Sequence, residues 1–65
     1  MKVIELVEKL PKGTTIEIVD CFDILHYCGK SEDLKIEKFP VLQDKEVIKI
    51  LNIKERSLKI LFAIF

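Results

Sequence analysis

The closing segment, residues 57–65, constrains the fold of this chain more than any other part. After Lys59 it contains only apolar side chains, and it has neither glycine nor proline. Branched and aromatic residues in so short a run are typical of a β-strand. Successive side chains of a strand point to opposite faces. We therefore expect both faces of this strand to be covered, either by the domain itself or by a partner.

The alternation divides this segment into two apolar sets. The first set would face a helix, and the second would lie on the other side of the sheet. The first set is Leu58, Ile60, Phe62 and Ile64, and the second is Leu61, Ala63 and Phe65.

The length predicts a single domain over residues 1–65. A chain this short buries roughly 60% of the surface that its unfolded form exposes. Its hydrophobic content of 49% and net charge of zero favour a packed core without disulfides and argue against disorder.

An amphipathic helix is predicted near the start of the chain. Val3, Leu6, Val7 and Leu10 follow the i, i+3, i+4, i+7 spacing of one helix face. Pro11 ends the helix because it cannot continue the hydrogen-bond ladder.

A β-hairpin is predicted from Thr14–Val19 and Ile24–Cys28, joined by a four-residue loop. This register places Ile18 opposite Leu25 and Ile16 opposite Tyr27, so that apolar residues share one face. It also pairs Glu17 with His26.

A second hairpin is predicted from residues 46–53 and the closing strand, with Ile48 opposite Ala63 and Ile53 opposite Leu58. We expect residues 31–44 to form a connector with a short helical turn; the alternation of Leu34 and Ile36 fits a strand as well. The fold class is α+β: an N-terminal short helix followed by a four-stranded antiparallel sheet or a small, partly closed barrel.

The first hairpin also contains five side chains of metal-ligand type, and their spacing lacks the second close pair of a zinc site. They are Asp20, Cys21, Asp23, His26 and Cys28. His26 and Cys28 share a strand face in this register, yet alternate strand residues lie too far apart for a ready nucleophile–base contact. We therefore expect no metal, no cofactor and no enzymatic activity.

Without an export signal, the thiols should be free and the protein cytoplasmic, with no membrane partner.

The charges are unevenly distributed along the chain. Residues 45–65 hold five basic and two acidic side chains, whereas residues 1–44 hold six and nine. The second hairpin is therefore a candidate nucleic-acid-binding surface. Its cationic residues in this hypothesis are Lys49, Lys54, Arg56 and Lys59. The alternative is a solvated edge whose lysines discourage aggregation.

Protein binding is the favoured function. An aromatic residue at the tip of the first loop, flanked by carboxylates, would anchor a basic partner through Asp20, Phe22 and Asp23; the alternative is that Phe22 folds back over the core edge. The second apolar face would support a homo-oligomer. The residues predicted for self-association are Ile48, Ile50, Leu61, Ala63 and Phe65.

Several segments together resemble small proteins from phages and prophages of Gram-positive bacteria. They include the helix Lys2–Leu10, the run Gly13–Asp20 and the strand Leu58–Ile64. This chain departs from that pattern at Cys21-Phe22, where a glycine would be usual. The resemblance implies a phage-encoded accessory protein, a class that includes inhibitors of host defence, and it assigns no functional residue.

Overall fold

The computed structural model describes residues 1–64, which form one helix, four strands and three single turns of 3₁₀ helix. The helix is α1 (Val3–Lys9), and the strands are β1 (Thr15–Asp20), β2 (Leu25–Lys30), β3 (Val47–Lys54) and β4 (Ser57–Phe62). The 3₁₀ turns, Ser31–Asp33, Ile36–Lys38 and Pro40–Leu42, lie between β2 and β3. The α+β class, the N-terminal helix and the four strands are confirmed.

The four strands form one open sheet in the order β2-β1-β4-β3. Each hairpin is antiparallel, but the central strands β1 and β4 pair in parallel. The prediction of a wholly antiparallel sheet or a partly closed barrel was therefore wrong. Hairpin patterns determine only the pairing of neighbouring strands, whereas residues 31–44 cross between the two sheet edges and bring the hairpins together in parallel.

The hydrophobic core lies between α1 and one face of the sheet, with contributions from the crossing segment. Its buried side chains are Val3, Leu6, Val7, Ile16, Ile18, Leu42, Ile60 and Phe62, and Leu10 and Leu58 pack against them. The predicted helix stripe and the predicted inward set of the closing strand are confirmed for these residues. Because the core has one side, the sheet keeps a second face, which we call the open face.

Helix α1 is short and depends on its ends as well as its packing. The Glu5 carboxylate accepts a hydrogen bond from the Lys2 backbone N–H at 2.8 Å, an N-terminal capping contact. At the other end the Leu10 N–H donates to the Val7 carbonyl. Pro11 follows and ends the helix as predicted.

The register of the first hairpin differs from the prediction by two residues. Ile18 pairs with Tyr27, Val19 pairs with Leu25, and His26 is the extra residue of a β-bulge. The predicted pairing of Glu17 with His26 was wrong, because Glu17 lies opposite Cys28. A bulge has no strong sequence signature and changes which side chains share a face.

The second hairpin also contains bulges. Ile50 pairs with Ile60 and therefore lies on the helix side, not beside Leu61 as predicted. Register shifts occur at Ile48 and Ile53, so the predicted pairings of these two residues were wrong.

Pairing with the central strands places several residues on the open face, among them Glu17, Val19, Lys59 and Leu61. The predicted contribution of Phe65 to that face lies outside the described residues. In residues 1–64, no helix is long and apolar enough to cross a membrane.

Ile60 and Ile50 provide a matched test of where the core ends across the sheet, because they are cross-strand partners on the helix side. Ile60 is 0% exposed and Ile50 is 44% exposed. We expect Ile60→Ala to lower the free energy of unfolding by about 2–5 kcal/mol and Ile50→Ala by less than about 1 kcal/mol. Urea unfolding followed by circular dichroism checks both. Equal losses would contradict this assignment, and Ile60→Val provides a milder change if the alanine variant is unfolded.

Candidate functional site

The turn between β1 and β2 exposes a group of large apolar side chains. Phe22 is 68% exposed, and Ile24 and Leu25 are also exposed. We call these three residues the turn patch. The structure thus distinguishes between the two alternatives for Phe22: the ring projects into solvent and does not fold over the core edge. Aromatic residues, phenylalanine included, are enriched at protein–protein interfaces relative to the rest of the surface.

The Asp20 carboxylate holds this turn in place. Its Oδ1 atom accepts hydrogen bonds from the backbone N–H groups of Phe22 at 2.8 Å and Ile24 at 3.1 Å. Asp20 is only 1% exposed, and it pairs in register with Phe62. The prediction that Asp20 contacts a partner was therefore wrong. Its side chain orders the turn that presents Phe22.

His26 completes the network around Asp20. The His26 Nε2–H group donates to Asp20 Oδ2 over 2.8 Å, and the imidazole meets the Phe62 ring edge-on with centroids 5.1 Å apart. The bulge turns His26 toward this side, whereas Cys28 lies opposite Glu17 on the open face. The predicted shared face of His26 and Cys28 was wrong for this reason.

The surroundings of Asp20 favour its charged form. The hydrogen bond from His26 is the largest influence that lowers the pKa of Asp20, and the N–H groups of Ile24 and Phe22 lower it further. Burial acts in the opposite direction because it penalises the charge. An ionised carboxylate accepts all three hydrogen bonds, whereas a protonated one would weaken this arrangement.

Asp23 links the turn to the open face. Its backbone adopts the left-handed conformation, with φ of 65°, which aspartate tolerates better than most residues. The Asp23 carboxylate is 82% exposed, and its Oδ1 lies 3.5 Å from Lys59 Nζ. Exposed pairs of this kind contribute little stability. Asp23 therefore keeps the accessible carboxylate predicted for partner binding. Its carboxylate also partly neutralises the charge of Lys59, one of the residues predicted to bind nucleic acid.

The open face alternates apolar and charged side chains. Val19 is buried between its register partners Leu25 and Leu61. Two residues before Val19 and Leu61 in their strands, Glu17 pairs with Lys59 on the same face. This face is therefore less apolar than the alternation of the closing strand alone predicts.

Strand β3 forms the second exposed apolar region. Its apolar side chains, apart from Val47, are exposed: Ile48, Ile50, Leu51 and Ile53. Lys49 and Lys54 are exposed as well, and neither takes part in a salt bridge within residues 1–64.

The aromatic residues of the described chain serve mainly in packing. Phe62 is buried. Tyr27 and Phe39 pack against the core and meet edge-on with ring centroids 5.6 Å apart. Of the aromatic side chains in residues 1–64, Phe22 alone is exposed. The open face therefore offers little of the stacking surface that single-stranded nucleic acid uses.

Two further features concern ligands. Cys21 and Cys28 are both free thiols, and no group of three His, Cys, Asp or Glu side chains within residues 1–64 is arranged to hold a metal ion.

A groove of about 460 Å³ lies between α1 and the start of the crossing segment, lined in part by Val7, Leu10 and Leu34. Sequence patterns did not predict this groove, because it forms only when residues 31–37 lie beside the helix.

Comparisons with protein-family models, with curated proteins and with solved structures return no match for this chain.

Acid unfolding tests the role of Asp20. Because its pKa is lowered in the folded state, its contribution to stability is present above the unfolded pKa and is lost as the pH falls through the folded value. We expect Asp20→Asn to be less stable than the parent at about pH 5 and this difference to shrink toward about pH 2. Urea midpoints across this range provide the measurement.

Asp23→Asn is the matched control, because that carboxylate is exposed and holds no turn hydrogen bond. A stability difference between the parent and Asp20→Asn that stays constant with pH would contradict the assigned role.

Proposed function

We propose that this chain is a non-enzymatic protein-binding module that uses the turn patch as its anchor. The single observation that carries this proposal is the exposure of Phe22 on a turn fixed by Asp20. Exposing a large aromatic ring to water forfeits roughly 1.5–3 kcal/mol of burial. A partner surface with a pocket for the ring would recover that free energy.

The fixed turn favours tight binding for a second reason. Association has a cost in conformational entropy when loops and side chains become ordered at an interface. Two backbone N–H groups of this turn are already bonded to the Asp20 carboxylate. The backbone of Phe22 is therefore ordered before the partner arrives, and less of the contact energy is lost on binding.

Asp23 adds to the chemistry of the expected partner. With Asp20 buried, Asp23 is the accessible carboxylate of the turn. A partner with an apolar pocket beside one basic side chain fits this combination, since complementary charge guides the encounter and determines its orientation. The resemblance to phage and prophage proteins extends the proposal: the partner would be a host protein, for example a component of a defence system.

The positions of the nucleophilic and basic side chains support a binding role over catalysis. His26 Nε2 is occupied by Asp20, and Cys28 lies on the opposite face of the sheet. A nucleophile and its base need to be within hydrogen-bond reach of each other. These two residues therefore do not form a thiol–imidazole pair.

Nucleic-acid binding is the second candidate, favoured by one observation. Lys49, Lys54 and Lys59 share the open face. Lys49 and Lys54 pair with Leu61 and Ser57 of β4, and these two residues lie on the same face of β4 as Lys59 because they are two positions away from it. Three ammonium groups on one face would attract a phosphate backbone. Glu17 and Asp23 weaken this potential, since both carboxylates lie next to Lys59.

Photo-crosslinking tests the protein-binding function. Benzoylphenylalanine placed at position 22 should crosslink one host protein in a lysate of a Gram-positive bacterium, and the same group at the exposed position 41 should not. The captured protein is then purified and titrated. Phe22→Ala should weaken its binding by roughly tenfold or more, as loss of an aromatic anchor does, while thermal stability stays unchanged. Equal crosslinking from both positions would contradict the anchor role.

Retention on single-stranded DNA tests the second candidate. If this function holds, the parent binds at low salt with a steep salt dependence, and changing Lys49, Lys54, Arg56 and Lys59 to glutamate abolishes retention. Phe22→Ala serves as the control that leaves the basic residues intact. Absence of binding by the parent at low salt would remove this candidate.

A further inference from the structure

The outer edge of β3 is largely free of neighbouring backbone. This strand has eight residues, Val47–Lys54, and stands last in the sheet order. The N-terminal residues cover its beginning: the Val47 N–H donates to the Met1 carbonyl at 2.8 Å, and Lys2 forms a bridge to Glu46. Beyond this point, residues 48–54 have no strand on their outer side within the described chain. The unpaired backbone N–H and C=O groups of such an edge are a template for pairing with another chain.

We propose that this edge binds an extended segment of a partner protein, one that carries acidic side chains at alternate positions and adds to the sheet as a fifth strand. Addition of a strand to a sheet edge gains affinity from main-chain hydrogen bonds and specificity from alternate side chains. The surface is separate from the turn patch, so this inference does not depend on the function assigned to Phe22.

The lysines of β3 indicate the charge of the added strand. Lys49 pairs with Leu61 and Lys54 with Ser57, and these two β4 residues lie on the same face because they are four positions apart. The bulge at Ile53 brings Lys54 to the open face alongside Lys49. Both side chains are exposed and lack a salt bridge within residues 1–64. Leu51, which pairs with Lys59, lies between the two lysines on this face. In an added strand with carboxylates at alternate positions, the two carboxylates on either side of the residue opposite Leu51 would lie beside Lys49 and Lys54.

The helix side of the edge indicates the residues between the acids. Ile50 lies on this side and is partly exposed. An apolar side chain opposite Ile50 would cover it, and the neighbours of that side chain in the added strand would lie opposite Lys49 and Leu51 on the open face. The expected segment therefore alternates acidic and apolar residues.

A second copy of this chain fits the edge less well. Pairing β3 with β3 around a two-fold axis perpendicular to the sheet would bring Lys49 and Lys54 of both copies onto one face. Strand β3 itself contains no acidic residue to offset these four positive charges. Lysines at sheet edges commonly prevent such self-pairing, and like charges on adjacent strands are destabilising. The same two lysines that oppose a second copy select an acidic strand.

The N-terminal residues provide an internal precedent. The Met1 carbonyl accepts a hydrogen bond from the first residue of β3, and the Met1 amino group pairs with Glu46 across 3.1 Å. The edge thus already combines a main-chain bond with an ion pair at its beginning. The proposed ligand would continue this combination of main-chain bonds and ion pairs along the strand. There β3 would supply the ammonium groups and the ligand the carboxylates.

The test is a titration of isotope-labelled protein at low salt, followed by amide chemical shifts. The probe is a capped seven-residue peptide that alternates glutamate and valine. We expect saturable shifts in the amides of residues 48–54, and binding weaker by roughly tenfold or more in the Lys49→Glu/Lys54→Glu variant. A lysine–valine peptide should show the reverse preference. Lys35→Glu/Lys38→Glu is the matched control, since it makes the same charge change in the crossing segment.

A peptide N-methylated at alternate backbone positions tests whether an added strand, and not charge alone, explains the binding. Two such peptides are compared, one methylated at the odd positions and one at the even positions. One of the two should lose binding, because its methyl groups replace the N–H donors that face β3. Each of the following outcomes would overturn the proposal: no binding of the glutamate peptide, shifts away from β3, equal effects of both double variants, or equal affinity for the two N-methylated peptides. A parent that is already a dimer, with β3 shifts on dilution, would assign the edge to a second copy and would also overturn it.

Discussion

The parallel pairing of β1 with β4 is the constraint on which the rest of the structure depends. Six register pairs run from Thr15–Ser57 to Asp20–Phe62. They align Ile16 and Ile18 with Leu58 and Ile60 to form the surface that α1 covers. The strands are distant in sequence, so this pairing forms only when residues 31–44 cross the sheet, and the associated loop-closure entropy must be offset by the core that results.

The same pairing explains why a carboxylate is buried at the end of the core. Asp20 is the last residue of β1, and its register partner is Phe62. A buried charge is costly unless it is fully hydrogen-bonded. Two turn N–H groups and the His26 ring supply the bonds. The bulge that moves His26 into reach, the turn that supplies the N–H groups and the exposure of Phe22 therefore form one arrangement around a single carboxylate.

The sequence predicts those parts of this fold that depend on local periodicity. The apolar stripe of α1, the existence of both hairpins and the inward set that includes Phe62 follow from spacings of 3.6 and 2 residues. The pattern also places an aromatic at the tip of the first turn. It does not predict the parallel pairing, because that depends on how a segment without strong periodicity crosses the sheet. Nor does it predict the bulges at His26, Ile48 and Ile53, each of which changes the face on which the following side chains lie.

The pairing of β1 with β4 also changes the interpretation of the exposed apolar surface. The alternation of β4 alone predicts an apolar face after Lys59 that calls for cover, either by barrel closure or by a homo-oligomer. In the structure, Glu17 and Lys59 interrupt that face, and Val19 is buried between Leu25 and Leu61. The exposed apolar side chains gather instead at the β1–β2 turn and along β3. A turn offers side chains and an edge offers unpaired backbone, so these two regions suit contact with other molecules better than stacking of one sheet on another.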